Sequence, residues 1–302
     1  MFTLPSIADE YKKDGVPCVR IENCGNFSVH KTFDCGQAFR FEPDGDDDTF
    51  TGTAFGKKIT FSSLGGGEVE LRGSTAEEYN TTWQRYLSLD SDYDEADRVI
   101  IEAMPNERDR AEMSAAVDSG RGIRILRQDP FETLISFIIS QNNNIPRIRG
   151  IVRRLCEAFG QPLGEGCFSF PSAQTLATAT EADLAVLRCG FRARYLLDAA
   201  RRVHSGQVDF DAIRSLPLEQ ARQQLMTICG VGPKVADCTL LFGCYRLECC
   251  PMDVWMKRVF SSLYPQGLPD CTQGYWGIAQ QYLFHYARSC PQILEPRQEV
   301  LA

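Results

Sequence analysis

Apolar and polar residues alternate along the first quarter of the chain, as they do in strands with one solvent-exposed face. The alternation runs over residues 26–72 and is clearest at 49–55, 58–61 and 68–71. Three glycines at 65–67 separate the last two of these segments and indicate a turn. We therefore predict an antiparallel sheet that packs one face against a core and exposes the other to water.

From Ser74 onward the apolar residues recur at three- and four-residue intervals, which is typical of helices. Beyond about residue 128 the pattern predicts only helices, the first of them capped by Asp129 and opened by Pro130. The fold class is therefore α+β, with an N-terminal antiparallel β-rich domain over residues 1–112 and a mostly α-helical domain over 113–302. The predicted helices are 75–89, 92–104, 130–139, 145–159, 193–204, 218–228, 233–242, 253–263 and 273–286.

Composition is that of a globular protein, with 43% apolar and 24% charged residues among 302. The first residues lack a charged-then-apolar leader, and no apolar run approaches about 18 residues, so we expect neither secretion nor membrane insertion. The 13 cysteines are irregularly spaced without a Cys-x-x-Cys pair, and there are three histidines. This argues against a zinc ribbon or a short-spaced iron–sulfur cluster. We expect reduced thiols in a cytoplasmic protein that binds no metal.

Charge is divided unevenly between the two halves of the chain. Residues 1–120 carry 12 Lys and Arg against 24 Asp and Glu, a net of −12, whereas residues 121–302 carry 20 against 16, a net of +4. A basic face on an acidic protein is a local electrostatic footprint for nucleic acid. Solvated helix faces would give the same balance, so charge alone does not decide between the two.

Two glycines two positions apart, Gly230 and Gly232, flank Val231 between the predicted helices 218–228 and 233–242. Together these form a predicted helix-hairpin-helix over about 218–242. A Gly-Val-Gly turn permits a sharp reversal and leaves backbone N–H groups at a helix N-terminus, which suits a phosphate of any nucleotide. An ordinary helix–turn–helix bend with a surface lysine would have the same spacing.

Lys234 lies on the first turn of the second helix, and Cys238 follows four residues later on the same face. Asp253 opens a further helix 19 residues after Lys234. A partly desolvated lysine can attack an anomeric carbon, and a nearby carboxylate can stabilise the charge that develops as a glycosidic bond breaks. As an isolated feature, Asp253 would be a structural N-cap.

Hairpin, lysine and aspartate together resemble the helix-hairpin-helix DNA glycosylases, and three further segments resemble the 8-oxoguanine DNA glycosylase/lyase family. The resemblance covers roughly residues 26–290 and implies that Lys234 is the nucleophile and Asp253 the catalytic carboxylate. The segments are Asn142-Asn143-Asn144-Ile145-Pro146-Arg147, Gly190-Phe191-Arg192-Ala193-Arg194-Tyr195 and Cys35-Gly36-Gln37-Ala38-Phe39-Arg40.

The resemblance implies that the damaged base is turned out of the duplex, which costs a few kcal/mol. Asn142 would then enter the vacated stack, and Phe191 would lie beside the gap. Arg147 and Arg192 would hydrogen-bond the orphan cytosine, whose O2 and N3 are both acceptors.

Recognition of 8-oxoguanine depends on N7, which carries a proton in the lesion and none in guanine. The resemblance implies that the Gly36 carbonyl accepts this proton. Gln280 would contact the Watson–Crick edge of the base. Phe284, four residues later on the same helix face, would stack on one side of the base, and Cys238 would pack on the other.

Two positions depart from the eukaryotic members of the family, which have histidine at the place of Trp255 and tyrosine at the place of Phe191. Trp255 puts a phosphate contact in doubt, and Phe191 lacks a hydroxyl but keeps its bulk. The resemblance implies no cofactor, although hairpin carbonyls could hold a monovalent cation. The expected partner is double-stranded DNA containing oxidised guanine, bound by a monomer that in a bacterium would associate with the nucleoid.

Two alternatives stay open at this point. One is a glycosylase of the same superfamily that removes alkylated bases with water as the nucleophile. The other is a non-catalytic helix-hairpin-helix protein that only binds DNA. Neither requires Lys234, and the second leaves the conjunction of Lys234, Asp253, Gln280 and Phe284 unexplained.

Overall fold

The computed structural model describes residues 3–264 and 274–294. Its N-terminal part contains a six-stranded antiparallel sheet in the order β1-β2-β6-β5-β4-β3. The prediction of an antiparallel sheet followed by a mostly helical region is thus confirmed. The strands are β1 Ser6–Lys13, β2 Val16–Glu22, β3 Phe41–Asp44, β4 Asp46–Ala54, β5 Lys57–Gly65 and β6 Glu68–Arg72.

The alternation of apolar and polar side chains along the strands decides which face of the sheet packs against the core. Phe61 pairs with Phe50 on one side and with Leu71 on the other, and all three are buried. Their rings and side chains pack on Trp83 and Phe33, which are also fully buried. Aromatic and branched residues paired across strands in this way are the main stabilising contacts of a sheet.

The other elements of the described chain are helices and one small hairpin, formed by β7 Pro162–Gly164 and β8 Cys167–Phe168. Two short 3-10 helices are Asp183–Leu187 and Pro291–Leu294. A π-helical segment, Tyr79–Trp83, joins α2 to α3, and another, Thr239–Gly243, continues α12. The helices are α1 Val29–Asp34, α2 Ala76–Glu78, α3 Gln84–Tyr86, α4 Tyr93–Glu102, α5 Glu107–Gly120, α6 Pro130–Ser140, α7 Ile145–Phe159, α8 Ala173–Ala177, α9 Arg192–His204, α10 Phe210–Ser215, α11 Leu218–Met226, α12 Pro233–Cys238, α13 Val254–Leu263 and α14 Trp276–Ser289.

The strand pattern assigned to residues 26–72 is wrong at α1. Val29 and Phe33, which are four residues apart, are both fully buried and lie on one face of the helix. These buried apolar side chains come from helical spacing and not from strand alternation. Ser28 caps the helix by accepting a hydrogen bond from the Lys31 N–H. The sequence pattern also missed β1 and β2, which precede residue 26.

The prediction of helices alone beyond residue 128 is wrong at the β7–β8 hairpin. Gly164 pairs with Cys167 across the two-residue turn Glu165-Gly166. Both turn residues have positive φ, +51° and +72°, which is the geometry of a type I′ turn that suits two-residue hairpins. Predicted helix 273–286 corresponds to α14, although Gln273 lies outside the described residues.

Two buried clusters fill the molecule, one beneath the sheet and one among the helices. Gln37, only 1% exposed, connects the segment after α1 to the strand-like segment before α6. Its Nε2 donates to the Arg124 carbonyl at 2.8 Å, and its Oε1 accepts from the Leu126 N–H at 2.9 Å. The boundary predicted near residue 112 falls within α5 and stays a prediction.

Within residues 3–264 and 274–294, no helix has the length and apolar character needed to cross a membrane. In the same part of the chain, no group of three or more His, Cys, Asp or Glu side chains is arranged to hold a metal ion. The described cysteines are free thiols, and most of them are buried.

Helix α14 is fixed to α4 by a buried hydrogen bond. The Tyr282 hydroxyl donates to Asp97 Oδ1 at 2.9 Å, and both residues are buried. Burial raises the pKa of Asp97 to about 6, although the hydrogen bond from Tyr282 acts in the opposite direction. The charged carboxylate is therefore disfavoured in the folded chain.

Replacing Asp97 with Asn should make folding less sensitive to pH. The folded protein binds the Asp97 proton more tightly than the unfolded chain, so this residue's stabilising contribution is complete below pH 3.8 and is lost as the pH rises through about 6. As the pH rises from about 4 to 7.5, the free energy of unfolding of Asp97→Asn should increase on the order of 1–2 kcal/mol relative to that of the wild type. Urea unfolding at the two pH values measures this.

Asp9→Asn, which removes an exposed carboxylate on β1, is the matched control for that experiment. It should follow the pH dependence of the wild type. If Asp97→Asn did so as well, the Asp97 carboxyl would not be the group that titrates.

Candidate active site

The hairpin between α11 and α12 has the predicted geometry. Gly230 has a φ of +78°, and a Cβ placed on it would lie 2.4 Å from the Tyr195 ring, so only glycine fits. Gly232 is the N-cap of α12, which has no side-chain cap. Val231 is buried and contributes to the core rather than to the surface. The N-terminus of α12 is thus available to an anion.

Two carboxylates that could not be found from the sequence hold the hairpin in place. Asp198 Oδ2 accepts from the Cys229 N–H at 2.7 Å. Asp237 Oδ1 accepts from Arg222 Nε at 2.8 Å, which ties α12 to α11. Burial raises the pKa of Asp237, and its hydrogen bond with Arg222 opposes this rise.

Lys234 is half-buried on the first turn of α12, as predicted. Its Nζ lies 3.4 Å from Ser140 Oγ and 4.9 Å from the centroid of the Phe137 ring. Both neighbours belong to the last turn of α6. The amine therefore has an aromatic face on one side and a neutral hydroxyl as its hydrogen-bond partner.

Asp253 is the N-cap of α13, where its Oδ1 accepts from the Met256 N–H at 2.8 Å. The second carboxylate oxygen makes no hydrogen bond among the described residues. Within the same part of the chain, no hydrogen bond or ion pair joins Asp253 directly to Lys234. The N-cap interpretation and the catalytic one are therefore compatible, because the cap uses only one oxygen.

Cys238 shows that the two charged groups share one site. It is 2% exposed, and burial raises its pKa to about 11. The charge of Lys234 counteracts this rise, while Asp237 and Asp253 add to it. The thiol is thus neutral near pH 7 and lies in the field of both Lys234 and Asp253.

Gly36 follows α1 and has a φ of +81°. A Cβ placed on it would lie 3.7 Å from Ile145 Cδ1, at the start of α7. The structure therefore brings Gly36 to the same edge of the molecule as the asparagine segment 142–144. The positive φ, rather than crowding, is the reason that glycine suits this position.

Arg192 is 4% exposed and uses its guanidinium on backbone carbonyls at the end of α6 and before α9. It donates to the carbonyl of Gln141 through two nitrogens, to that of Asn142 at 3.3 Å and to that of Cys189 at 3.2 Å. Asn142 itself is exposed and has a φ of +46°. Arg192 thus fixes the strained backbone from which the Asn142 side chain projects.

Arg147 and Phe191 lie beside Arg192 and are both exposed. Burial, and then the positive charge of Arg147, lowers the pKa of Arg192. The Arg192 guanidinium lies 4.6 Å from the centroid of the Phe191 ring. The four residues that the resemblance assigns to the DNA gap, Asn142, Arg147, Phe191 and Arg192, are therefore neighbours.

Helix α14 carries Gln280, which is buried, and Phe284, which is half-buried. A Cβ on Gly277, one turn before Gln280, would lie 2.3 Å from Leu241 Cδ1, so α14 packs tightly on the segment that follows Cys238. At its other end, Arg288 Nη1 donates to the Asp34 carbonyl at 3.1 Å, close to Gly36. The helix thus runs between the hairpin and Gly36.

Several neighbours of these residues were not found from the sequence. Ser140 and Phe137 look like ordinary helix residues, and only the packing of α6 on α12 makes them partners of Lys234. Arg288 lies over the Phe284 ring, 5.8 Å from its centroid. Trp255, one of the departures noted above, is 39% exposed beside Asp253.

Two family models match the chain in succession. Residues 21–134 match the 8-oxoguanine DNA glycosylase N-terminal domain, and residues 135–267 match the HhH-GPD superfamily base excision DNA repair protein. The first match contains the strands β3 to β6, and the second contains the hairpin and Asp253.

Characterised relatives match in part. The N-glycosylase/DNA lyase of Saccharomyces cerevisiae is 40% identical over 156 residues, which cover 47% of this chain and 42% of the relative. The N-glycosylase/DNA lyase OGG1 of Arabidopsis thaliana is 36% identical over 158 residues, which cover 50% of this chain and 42% of the relative. The chain thus spans less than half the length of either.

A solved structure matches over nearly its whole length. The Clostridium acetobutylicum 8-oxoguanine glycosylase/lyase, in complex with double-stranded DNA containing cytosine opposite 8-oxoguanine, is 34% identical, with a TM-score of 0.82. The alignment covers 94% of this chain and 99% of that one. By its domain order, its fold and this identity, the chain belongs to the 8-oxoguanine DNA glycosylase family within the helix-hairpin-helix base excision repair superfamily.

Proposed function

We propose that this protein is a bifunctional DNA glycosylase and abasic-site lyase that removes 8-oxoguanine opposite cytosine from duplex DNA. The observation that carries the proposal is the setting of Lys234, half-buried between Phe137, Ser140 and the neutral thiol of Cys238. A lysine that only bound an exposed phosphate would not need to be half-buried among these groups.

The reaction begins with the unprotonated amine of Lys234 and C1′ of the turned-out nucleotide. A bond forms from Nζ to C1′ while the bond from C1′ to N9 breaks, and the base leaves with the electron pair and takes a proton from water. The free oxygen of the Asp253 carboxylate stabilises the positive charge that develops on the sugar. The sugar ring then opens by cleavage of the C1′–O4′ bond, O4′ takes one proton from Nζ, and a protonated Schiff base remains between Lys234 and C1′.

Strand cleavage follows from the Schiff base. Removal of a proton from C2′ sends its electron pair toward the iminium, and the phosphate leaves from C3′ with the electrons of its bond. Asp253, or a base held near it, would take the proton. Water then hydrolyses the imine and releases Lys234 unchanged.

The residues around Lys234 and Asp253 would recognise the DNA and the damaged base. The turn Gly230-Val231-Gly232 would face the lesion strand, which fits the uncapped N-terminus of α12. The Val231 N–H already donates to the Ile228 carbonyl, so the N–H groups of Gly230 and Gly232 would meet the phosphate. Gly36, Gln280, Phe284 and Cys238 would surround the base. Their contribution is to select the lesion over guanine rather than to take part in the chemistry.

The last part of the proposal concerns the location of the protein, its oligomeric state and its cofactors. We propose that the protein acts as a cytoplasmic monomer on double-stranded DNA without a resident cofactor. The turn is compatible with a monovalent cation, because the Ile228 carbonyl accepts the Val231 N–H at 3.0 Å with one of its two lone pairs. The chemistry itself is carried by Lys234 and Asp253.

Borohydride trapping on a duplex with 8-oxoguanine opposite cytosine tests the nucleophile. Wild type should form a covalent adduct, and Lys234→Gln should form none and lose about a thousandfold or more in base excision. Lys12→Gln, an exposed lysine on β1, should behave like the wild type. Base release by Lys234→Gln would indicate water as the nucleophile, and inactivity of the wild type would indicate a DNA-binding protein only.

The two arginines should respond differently to substitution. Arg147→Ala, an exposed change, should leave stability within about 0.5 kcal/mol and reduce the preference for cytosine over adenine opposite the lesion by roughly tenfold. Arg192→Leu should also lower the free energy of unfolding by roughly 2–4 kcal/mol, because three backbone carbonyls lose their donors.

Single-turnover excision opposite each base, together with urea unfolding, measures both effects. An unchanged cytosine preference in Arg147→Ala would remove that residue from recognition of the orphan base. An Arg192→Leu variant as stable as the wild type would contradict its role in holding the segment at Asn142.

A further inference from the structure

Two consecutive glutamines on α14 are buried together. Gln280 is 4% exposed and Gln281 is 5% exposed. Gln281 Nε2 donates to Gln280 Oε1 at 2.7 Å, while Gln281 Oε1 is buried without a hydrogen-bond partner among the described residues. Adjacent side chains on a helix ordinarily point apart, so this convergence is unusual.

The pair is poorly explained by stability. A buried acceptor without a donor costs free energy, and an apolar side chain of the same size would avoid that cost. Helix α14 is already held by the Tyr282–Asp97 hydrogen bond and by the close packing of Gly277 on Leu241. The hydrogen bond from Gln281 to Gln280 is therefore the contact that can explain why Gln281 is buried.

The contact determines which way the Gln280 amide faces. A free glutamine amide can turn by half a revolution about its last bond and exchange its oxygen with its nitrogen. Donation from Gln281 places the Gln280 oxygen on one side and uses one of its two lone pairs. Among the described residues, the other lone pair and both Gln280 N–H donors stay available.

The orientation matters for the base proposed to lie at this site. The Watson–Crick edge of 8-oxoguanine presents O6 as an acceptor next to N1–H and the N2 amino group as donors. An amide matches this edge with two hydrogen bonds only when its carbonyl faces N1–H and its amino group faces O6. The opposite orientation sets donor against donor and acceptor against acceptor.

We propose that Gln281 is a positioning residue for base recognition, which acts by holding the Gln280 amide in the orientation that matches a guanine-type edge. The proposal rests on the proposed function, because it assumes that Gln280 contacts the base. Gln281 does not itself take part in the lysine chemistry. Its effect is confined to steps in which a base is bound.

A double-mutant cycle tests this with Gln281→Met, Gln280→Met and the double variant. Methionine keeps the length of the side chain and removes its donor. Single-turnover excision of 8-oxoguanine opposite cytosine should fall about tenfold in Gln281→Met. In the Gln280→Met background the same change should have less than about a twofold effect, because the group that it orients is gone.

Strand cleavage at a preformed abasic site separates positioning from general damage. That substrate has no base to recognise, so its cleavage by Gln281→Met should stay within about twofold of wild type. Thermal unfolding should change little, because the removal of the unpaired Gln281 Oε1 offsets the loss of the donor to Gln280 Oε1. Gln174→Met, an exposed change on α8, is the matched control, and Gln281→Leu is a second variant of the same design.

Equal losses in both backgrounds, or an equal loss at the abasic site, would overturn the proposal and make Gln281 a structural residue. Excision by Gln281→Met at the wild-type rate would overturn it as well. Failure of the proposed function has a different signature, since the wild type would then neither excise 8-oxoguanine nor form the borohydride adduct.

Discussion

Burial of α6 is the constraint on which the site depends. Almost every residue of α6 from Phe131 to Ile139 is buried, and the helix packs on α7, α9 and α12. A helix surrounded by other helices must end where its last carbonyls can be satisfied. The side chains of Gln141 and Asn143 donate to the last α6 carbonyls, those of Ile138 and Ile139. Arg192 donates to the two carbonyls that follow the helix, and the end of α6 is thereby fixed beside the hairpin.

The same end of α6 places some side chains toward Lys234 and others toward solvent. Phe137 and Ser140 turn toward Lys234 and set the surroundings of its amine. Immediately afterwards, the chain turns through Asn142 and exposes it to solvent. One helix terminus therefore fixes the distance between the nucleophile and the residue expected to fill the DNA gap, which is the geometry that a base-flipping enzyme must hold.

Buried polar groups connect the elements that carry the site. Gln37 joins α1 to the segment before α6, Arg222 and Asp237 join the two hairpin helices, and Tyr282 and Asp97 join α14 to α4. Each such group must be paired to avoid a desolvation cost, so each pair permits only one arrangement of its helices. Gln281 differs from these because its Oε1 has no hydrogen-bond partner among residues 3–264 and 274–294, which a purely structural role does not explain.

The sequence by itself determined the α+β order, the strands β4 to β6, most of the long helices and the positions of Lys234 and Asp253. These depend on local periodicity, on caps and on glycine conformation, all of which lie within a few residues of one another. The sequence could not distinguish α1 from a strand, because Val29 and Phe33 fit either pattern over so short a segment. The strands β7 and β8 were likewise too short to show a strand pattern in the sequence.

Tertiary structure alone decided what surrounds each functional side chain. Ser140 and Lys234 are 94 residues apart in the chain, and Asp97 and Tyr282 are 185 apart. No local pattern carries information across such separations, because these contacts arise from the packing of whole helices rather than from the propensities of their residues. Whether Arg192 faces solvent or backbone carbonyls, and whether Gln281 meets Gln280, follows from that packing.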